Sequence, residues 1–258
     1  MICSAKTDIG MHRKVNQDTY VLKKYSEKTC LVVVCDGMGG VKGGEEASKL
    51  AANTFAETID KFITPYIGNK EKGFSANDVK KAMKQALINA NEAVYQRAKE
   101  DARLKGMGTT LVSAIIIDKS VFCLNVGDSR MYFMKGSKIK QITKDHSYIQ
   151  HLLDLGRITP EDAEKSPHKN IITRAVGTEP TVDPDIYRAN VTDNTFVLLC
   201  TDGLINFVDD ATICDIVSND YSSRQIDQVK LDIKVRKLID TANNNGGADN
   251  ITVSLVKI

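Results

Sequence analysis

The sequence predicts an α+β fold in which antiparallel strands build most of the core and helices come in pairs. Three observations carry this reading. Short apolar runs rich in valine and isoleucine recur in both halves of the chain, as buried strands do. Two successive stretches between residues 47 and 98 repeat apolar residues at helical spacing. The strand-like runs after residue 109 are separated by turns too short for crossover helices, so they pair antiparallel and a doubly wound sheet is excluded.

In chain order, CLVVVCD (30–36) reads as a buried strand, and the glycine-rich stretch 37–44 as a loop. Ala47, Leu50, Ala51, Phe55, Ile59 and Phe62 then mark a first helix. Val79, Met83, Ala86, Leu87, Ala90 and Val94 mark a second, which Ser75 followed by Asp78 would cap. Four strands follow at 109–117, 120–126, 130–134 and 138–143. Residues from about 145 to 185 look loop-like. TFVLLC (195–200) is a strand that leads into Thr201 and Asp202, a late helix ends near 243–247, and ITVSLVKI (251–258) is the last strand.

Composition narrows the function. The 258 residues carry 35 Lys plus Arg against 33 Asp plus Glu, which gives no bulk attraction to nucleic acid or to an anionic membrane. No apolar run is long enough to span a bilayer, and the opening MICSAKTDIGMHRK lacks the hydrophobic stretch of a secretory signal, so a cytoplasmic protein is expected. Cys3, Cys30, Cys35, Cys123, Cys200 and Cys214 form no CxxC pair; most sit in or beside strand-like runs and read as small buried hydrophobes in a reducing compartment. Neither cysteines nor histidines cluster at zinc-ligand spacing.

The informative residues are aspartates. Asp36, Asp128, Asp202 and Asp249 each lie at the end of an apolar strand, where a carboxylate is costly without compensation. Any one of them, next to glycine, could be an ordinary turn. Together they suggest carboxylates converging on a cation, and hard oxygen ligands select Mg²⁺ or Mn²⁺ over zinc. Glycines after Asp36 would let backbone carbonyls approach such an ion. Arg13, with a planar fork suited to phosphate, and Asp18 lie together in RKVNQD. Other phosphoryl-transfer signatures fail. GMGGVKGGEE contains no P-loop, and six residues separate Cys123 from Arg130, one more than the cysteine-phosphatase loop has.

The chain resembles the bacterial form of the type 2C metal-dependent serine/threonine protein phosphatases. The resemblance rests on GMHRKVNQD (10–18), VVCDGMGG (33–40), GEEAS (44–48), GMGTTL (106–111), NVGDSRMY (125–132), ITKDHS (142–147), LLDLGRITPEDAEKSPHKNIITRAVG (152–177), LLCTDGL (198–204) and ADNITV (248–253), in that order. It covers the chain almost end to end. It implies a single domain over 1–258, built as a four-layer α/β/β/α sandwich of two antiparallel sheets, with a flap at about 146–174. It also implies two catalytic Mn²⁺ or Mg²⁺ ions and a weaker third.

By the same resemblance, Asp36 would bridge the two ions, with the Gly37 carbonyl on one of them. Asp202 and Asp249 would hold the second, and Asp128 with Asp202 the third. Asp18 would act through a bound water, Asn250 would support the water network, and Arg13 would clamp the substrate phosphate. Two positions depart from the family pattern: Val41 and Met38 stand where many bacterial and eukaryotic members, respectively, carry histidine. Water is therefore expected to protonate the leaving group. His146 is expected to be structural, and His12, His151 and His168 to be surface groups. Expected partners are phosphoserine and phosphothreonine proteins, including a Hanks-type serine/threonine kinase, with the enzyme acting as a monomer. A pseudophosphatase would have lost the metal-binding aspartates. A phosphatase of anti-sigma-factor antagonists would carry an added sensor domain, for which the 258 residues leave no room.

Overall fold

All strand pairings among the described residues are antiparallel, and they sort into two sheets. The computed structural model describes residues 1–67, 73–166, 168, 170–218 and 226–258. In chain order the elements are β1 (Ile2–Asp8), β2 (Asp18–Ser26), β3 (Thr29–Met38), α1 (Gly40–Ile63), α2 (Ala76–Glu100), β4 (Gly108–Thr109), β5 (Leu111–Ile117), β6 (Ser120–Val126), β7 (Arg130–Lys135) and β8 (Lys138–Gln141). They continue with α3 (Tyr148–Asp154), α4 (Pro160–Lys165), β9 (Asp185–Asn190), β10 (Phe196–Cys200), α5 (Asp202–Ile205), α6 (Asp210–Ser218), α7 (Gln228–Asn244) and β11 (Ile251–Lys257). One sheet has the order β1-β11-β10-β7-β8; the other runs β2-β3-β5-β6-β9, with β4 against the end of β3.

Side-chain alternation stacks these sheets into four layers. Cys30, Val32 and Val34 of β3 meet Val197 and Leu199 of β10 and Val256 of β11 between the sheets. Leu31, Val33 and Cys35 point the other way, onto Phe55 and Ile59 of α1 and Met83 and Leu87 of α2. The opposite sheet does the same: Leu198 and Cys200 pack under Leu204 of α5, Ile213 of α6 and Leu238 of α7. A strand covered on both faces has no polar side, which is why 30–35 is an unbroken apolar run. The expected α+β sandwich is observed. The cysteines are all free, and five of the six are buried. No described helix is long and apolar enough to cross a membrane.

The caps explain where helices begin. The Ser75 hydroxyl accepts the Asp78 amide at 3.3 Å, as the sequence suggested. Two stretches read as loops are corrected. Between 37 and 44 only Gly39 separates strand from helix: β3 runs on to Met38, paired with β4, and α1 begins at Gly40. Within 145–185 lie α3, α4 and the first residue of β9. Their start signals are legible after the fact: Ser147 caps α3, and Thr159 with Asp162 forms a capping box around Pro160. Pro167, which also punctuates this stretch, lies outside the described residues. The strands that periodicity missed include β1, β2 and β9, all at sheet edges. An edge strand buries less of its surface, so its apolar pattern is weaker.

Candidate active site

The sheets bring their strand ends to one place. Asp36 sits near the end of β3, and Asp18 opens β2 directly opposite it in the ladder. From the other sheet, Asp202 follows the end of β10 by two residues and Asp249 precedes β11 by two. Asp128 lies in the tight turn between β6 and β7. A cleft of about 610 Å³ is lined by Asp36, Gly37, Asp128, Asp202, Asp249 and Arg13. Asp18 stands behind it, 5% exposed. The seven residues singled out from the sequence therefore fall in one place, six on the cleft wall and Asp18 beneath it.

Burial and mutual repulsion dominate the electrostatics. Burial, reinforced by Asp18 and Asp202, pushes the Asp36 carboxyl well above the usual carboxylate range. Asp128 is pushed up to about 7 by burial and by Asp202 and Asp145. Asp202 is raised by burial and by Asp249. Asp18 is pushed up to about 7 by burial, although the Thr201 and Thr252 hydroxyls each donate to its Oδ2 at 2.8 Å and favour the charged form. Oδ1 of Asp18 and Oδ1 of Asp202 are buried with no protein partner. Carboxylates this crowded and under-bonded call for positive charge in the cleft.

Among the described residues, no three acidic, histidine or cysteine side chains close tightly enough to cage an ion on their own. This donor set still suits Mg²⁺ or Mn²⁺. Mg²⁺ keeps several waters and takes only one or two carboxylates per ion, and the cleft is wide enough to hold those waters. The acidic side chains on the cleft wall offer only oxygens, so the residues present fit hydrated hard cations.

Supporting residues fix the acids. The Thr110 hydroxyl accepts the Asp36 amide at 2.9 Å, while the Thr109 hydroxyl and the Thr110 amide donate to the Asp36 carbonyl, each at 2.8 Å. Gly37 is required by packing, because a Cβ there would lie 1.9 Å from the Gly44 carbonyl oxygen. The sequence placed Asn250 in a water network. The structure shows its amide oxygen accepting the Gln17 amide at 2.8 Å and its amide nitrogen donating to the carbonyls of Ile9 at 2.9 Å and Val15 at 3.0 Å. Asn250 thus pins the segment that carries Arg13. Thr109, Thr110, Thr201 and Thr252 were not recognised as supports; only Thr201, next to Asp202, carries a local signal, and the others meet their acids through the fold.

Arg13 donates from Nη2 to Asp249 Oδ2 at 2.7 Å, and this bond is the main cause that raises its already high pKa. The pair is half-open to solvent, so it is a weak tether. Its remaining donors are available to an anion entering the cleft. Among the described residues no histidine lines the cleft, consistent with Met38 at the family's histidine position. Cys123 is buried and its thiol is pushed up by desolvation, which agrees with setting it aside as a nucleophile.

One side of the opening is formed by the flap. An isolated bridge between Ser147 and Ile172 closes its base, and α3 and α4 stand on it. Beneath these helices lies a second cavity of about 470 Å³ that shares Asp128, Asn170 and Asp202 with the first.

Comparison with known proteins agrees with this geometry. The family model described as "Protein phosphatase 2C" matches residues 11–247. The serine/threonine phosphatase stp of Listeria innocua is 35% identical over 252 residues, covering 98% of this chain and 94% of the relative. The crystal structure of the serine/threonine phosphatase Stp1 from Staphylococcus aureus aligns with a TM-score of 0.86 at 34% identity, over 100% of this chain and 95% of that one. The catalytic domain of the serine threonine protein phosphatase PstP, solved in complex with two manganese ions, aligns with a TM-score of 0.80 at 30% identity, over 99% and 96% of the two chains.

Proposed function

Because the chain belongs to the protein phosphatase 2C family, and is a phosphoprotein phosphatase, we propose that it hydrolyses phosphoserine and phosphothreonine in proteins with two Mn²⁺ or Mg²⁺ ions in the cleft. Asp36, the Gly37 carbonyl, Asp202 and Asp249 hold these ions, and Asp128 with Asp202 holds a weaker third. The observation that carries this reading is the convergence of buried acids from both sheets, two of them with an oxygen that has no protein partner. When bound, such ions lower the pKa of a water and neutralise phosphoryl oxygens.

The protein's own residues supply the rest. Phosphate monoester hydrolysis needs a barrier reduction of roughly 20 kcal/mol, most of it from positioning and charge. Arg13 takes the phosphoryl oxygens with the guanidinium donors that Asp249 does not use. Asp18, fixed by two hydroxyls, offers its free oxygen to a water behind the ions. With no histidine on the cleft wall among the described residues, a water, bound or bulk, protonates the leaving alkoxide. The chain works as one domain and as a monomer, and it opposes a Hanks-type serine/threonine kinase, with the flap facing the phosphoprotein.

The test is hydrolysis of a phosphothreonine peptide with and without metal. Mn²⁺ or Mg²⁺ restores turnover to chelated protein, and EDTA abolishes it. Full turnover after exhaustive chelation would overturn the metal reading. An inert protein that still binds metal and phosphopeptide would make it a binding module instead.

A further inference from the structure

His146 is 6% exposed and lies outside the catalytic cleft, yet it joins three parts of the site. Its Nδ1 accepts the Gly127 amide at 3.1 Å, and its own amide donates to the Gly127 carbonyl at 2.9 Å. Gly127 immediately precedes Asp128 and is held at φ +104, with Thr110 so close that a Cβ would lie 2.6 Å from its methyl carbon. Both backbone groups of Gly127 are therefore held by one residue. The carbonyl has a second donor in Asn125 at 3.2 Å, whereas among the described residues the amide has the imidazole as its partner.

The other edge of the ring faces the flap. Since Nδ1 accepts, Nε2 carries the proton, and it points to Asp185 Oδ2 at 3.4 Å. Arg174 Nη1 lies 3.2 Å from both Nε2 and Asp185 Oδ1. The Thr173 amide donates to the His146 carbonyl at 2.8 Å, and Ser147 bridges Ile172. His146 thus stands where the flap leaves the sandwich and where it returns. Burial and the Arg174 charge lower its pKa, which favours the neutral ring that this bonding needs.

We infer that His146 is a positioning residue: it couples the seating of the flap to the placement of the Asp128 carboxylate, and so sets the affinity of the weakest ion. This rests on the reading above that Asp128 holds such an ion. A ring that accepts at Nδ1 and meets Asp185 and Arg174 at Nε2 orients the Gly127–Asp128 turn as an outer partner orients a metal ligand.

Mn²⁺ titration by calorimetry and by water-proton relaxation, on wild type, Asp128→Asn, His146→Leu and His146→Gln, tests the inference. Glutamine can accept the Gly127 amide and donate to Asp185; leucine can do neither. Asp128→Asn should abolish the low-affinity phase. His146→Leu should weaken that phase about tenfold or more and spare the tight phase, while His146→Gln stays within about threefold of wild type. Loss in His146→Leu should add nothing when Asp128 is already Asn. If Asp128→Asn leaves the weak phase intact, the Asp128 ion reading fails and the inference falls with it. If Asp128→Asn removes the phase but His146→Leu does not shift it, or leucine and glutamine weaken it equally, the inference alone is overturned. Should His146→Leu not fold, Asp185→Asn, at a partly exposed carboxylate, takes its place: about a threefold weakening supports the coupling, and no change overturns it.

Discussion

The two walls of the cleft are built differently. On the sandwich side, Asp18, Asp36, Asp202 and Asp249 sit within two residues of strand ends; buried threonine hydroxyls and the β2–β3 ladder fix Asp18 and Asp36. On the flap side, α3 and α4 are helices of seven and six residues in which Ile149 is the one buried side chain among those described, tied to the body through the Ser147–Ile172 bridge and the His146 contacts. Buried bonds in a close-packed core resist displacement, whereas a segment with few buried apolar contacts opens at low cost. The contrast teaches a division of labour. On the proposed function, the rigid wall would hold the groups that must not move during chemistry, and the looser wall would meet the substrate.

The sharpest way to break this comparison is to alter the rigid wall alone. Asp36→Asn, Asp202→Asn and Asp249→Asn should each lower kcat about a thousandfold, several kcal/mol of transition-state stabilisation, while melting within a few degrees of wild type. A folded variant within about threefold of wild-type kcat removes that residue from the ligand set.

Proton competition gives a second, graded test. Asp18 and Asp128 titrate near 7 in the folded protein and near 4 when unfolded. A raised folded pKa means the folded state binds more protons. The stability this contributes is full below about pH 4 and is lost as pH rises through about 7. Bound Mn²⁺ relieves the repulsion that appears above that range. The Tm increase on adding Mn²⁺ should therefore be several degrees larger at pH 8 than at pH 5.5, and equal shifts at both would detach these acids from the ion.

Arg13→Ala lies between the walls and should act on substrate more than on metal. KM should rise roughly tenfold, because the clamp holds phosphate in the ground state too, with metal content unchanged. Loss of metal at constant KM would make Arg13 a brace for Asp249 only.

The smallest effect is expected on the loose wall. Substituting exposed Arg157 and Glu161 together should change kcat/KM for phosphopeptides about three- to fivefold. Hydrolysis of para-nitrophenyl phosphate, which needs little from the surface, should change less than about twofold. A parallel fall in both rates with Tm would mean that the flap merely supports the fold.

Much of the rigid wall was legible in the sequence, because a carboxylate next to glycine at the end of an apolar run is a local signal. Asp36, Asp128 and Asp202 each show it, and the chain-long order of motifs supplied the family. The flap was less legible. Its helices are short: α3 offers only Ile149, Leu152 and Leu153 as an apolar stripe, too few to stand out as periodicity, and the caps at Ser147 and Thr159 are the clearest signals. The bracing role of Asn250 was hidden for a different reason: nothing local shows that its amide reaches the carbonyls of Ile9 and Val15, more than two hundred residues away.

The sequence by itself determined the α+β class, the buried strands, the Ser75 cap of α2 and the identity of the acids, since each depends on neighbours within a few residues. Only the tertiary structure decided that Asp18 shares its buried oxygen between Thr201 and Thr252, that Arg13 rests on Asp249, and that His146 holds the Gly127 turn. The first joins β2 of one sheet to β11 of the other, and the rest join connecting segments at the strand ends. Packing the two sheets face to face creates them, and no local pattern encodes a partner that only close packing of the whole chain brings within hydrogen-bond reach.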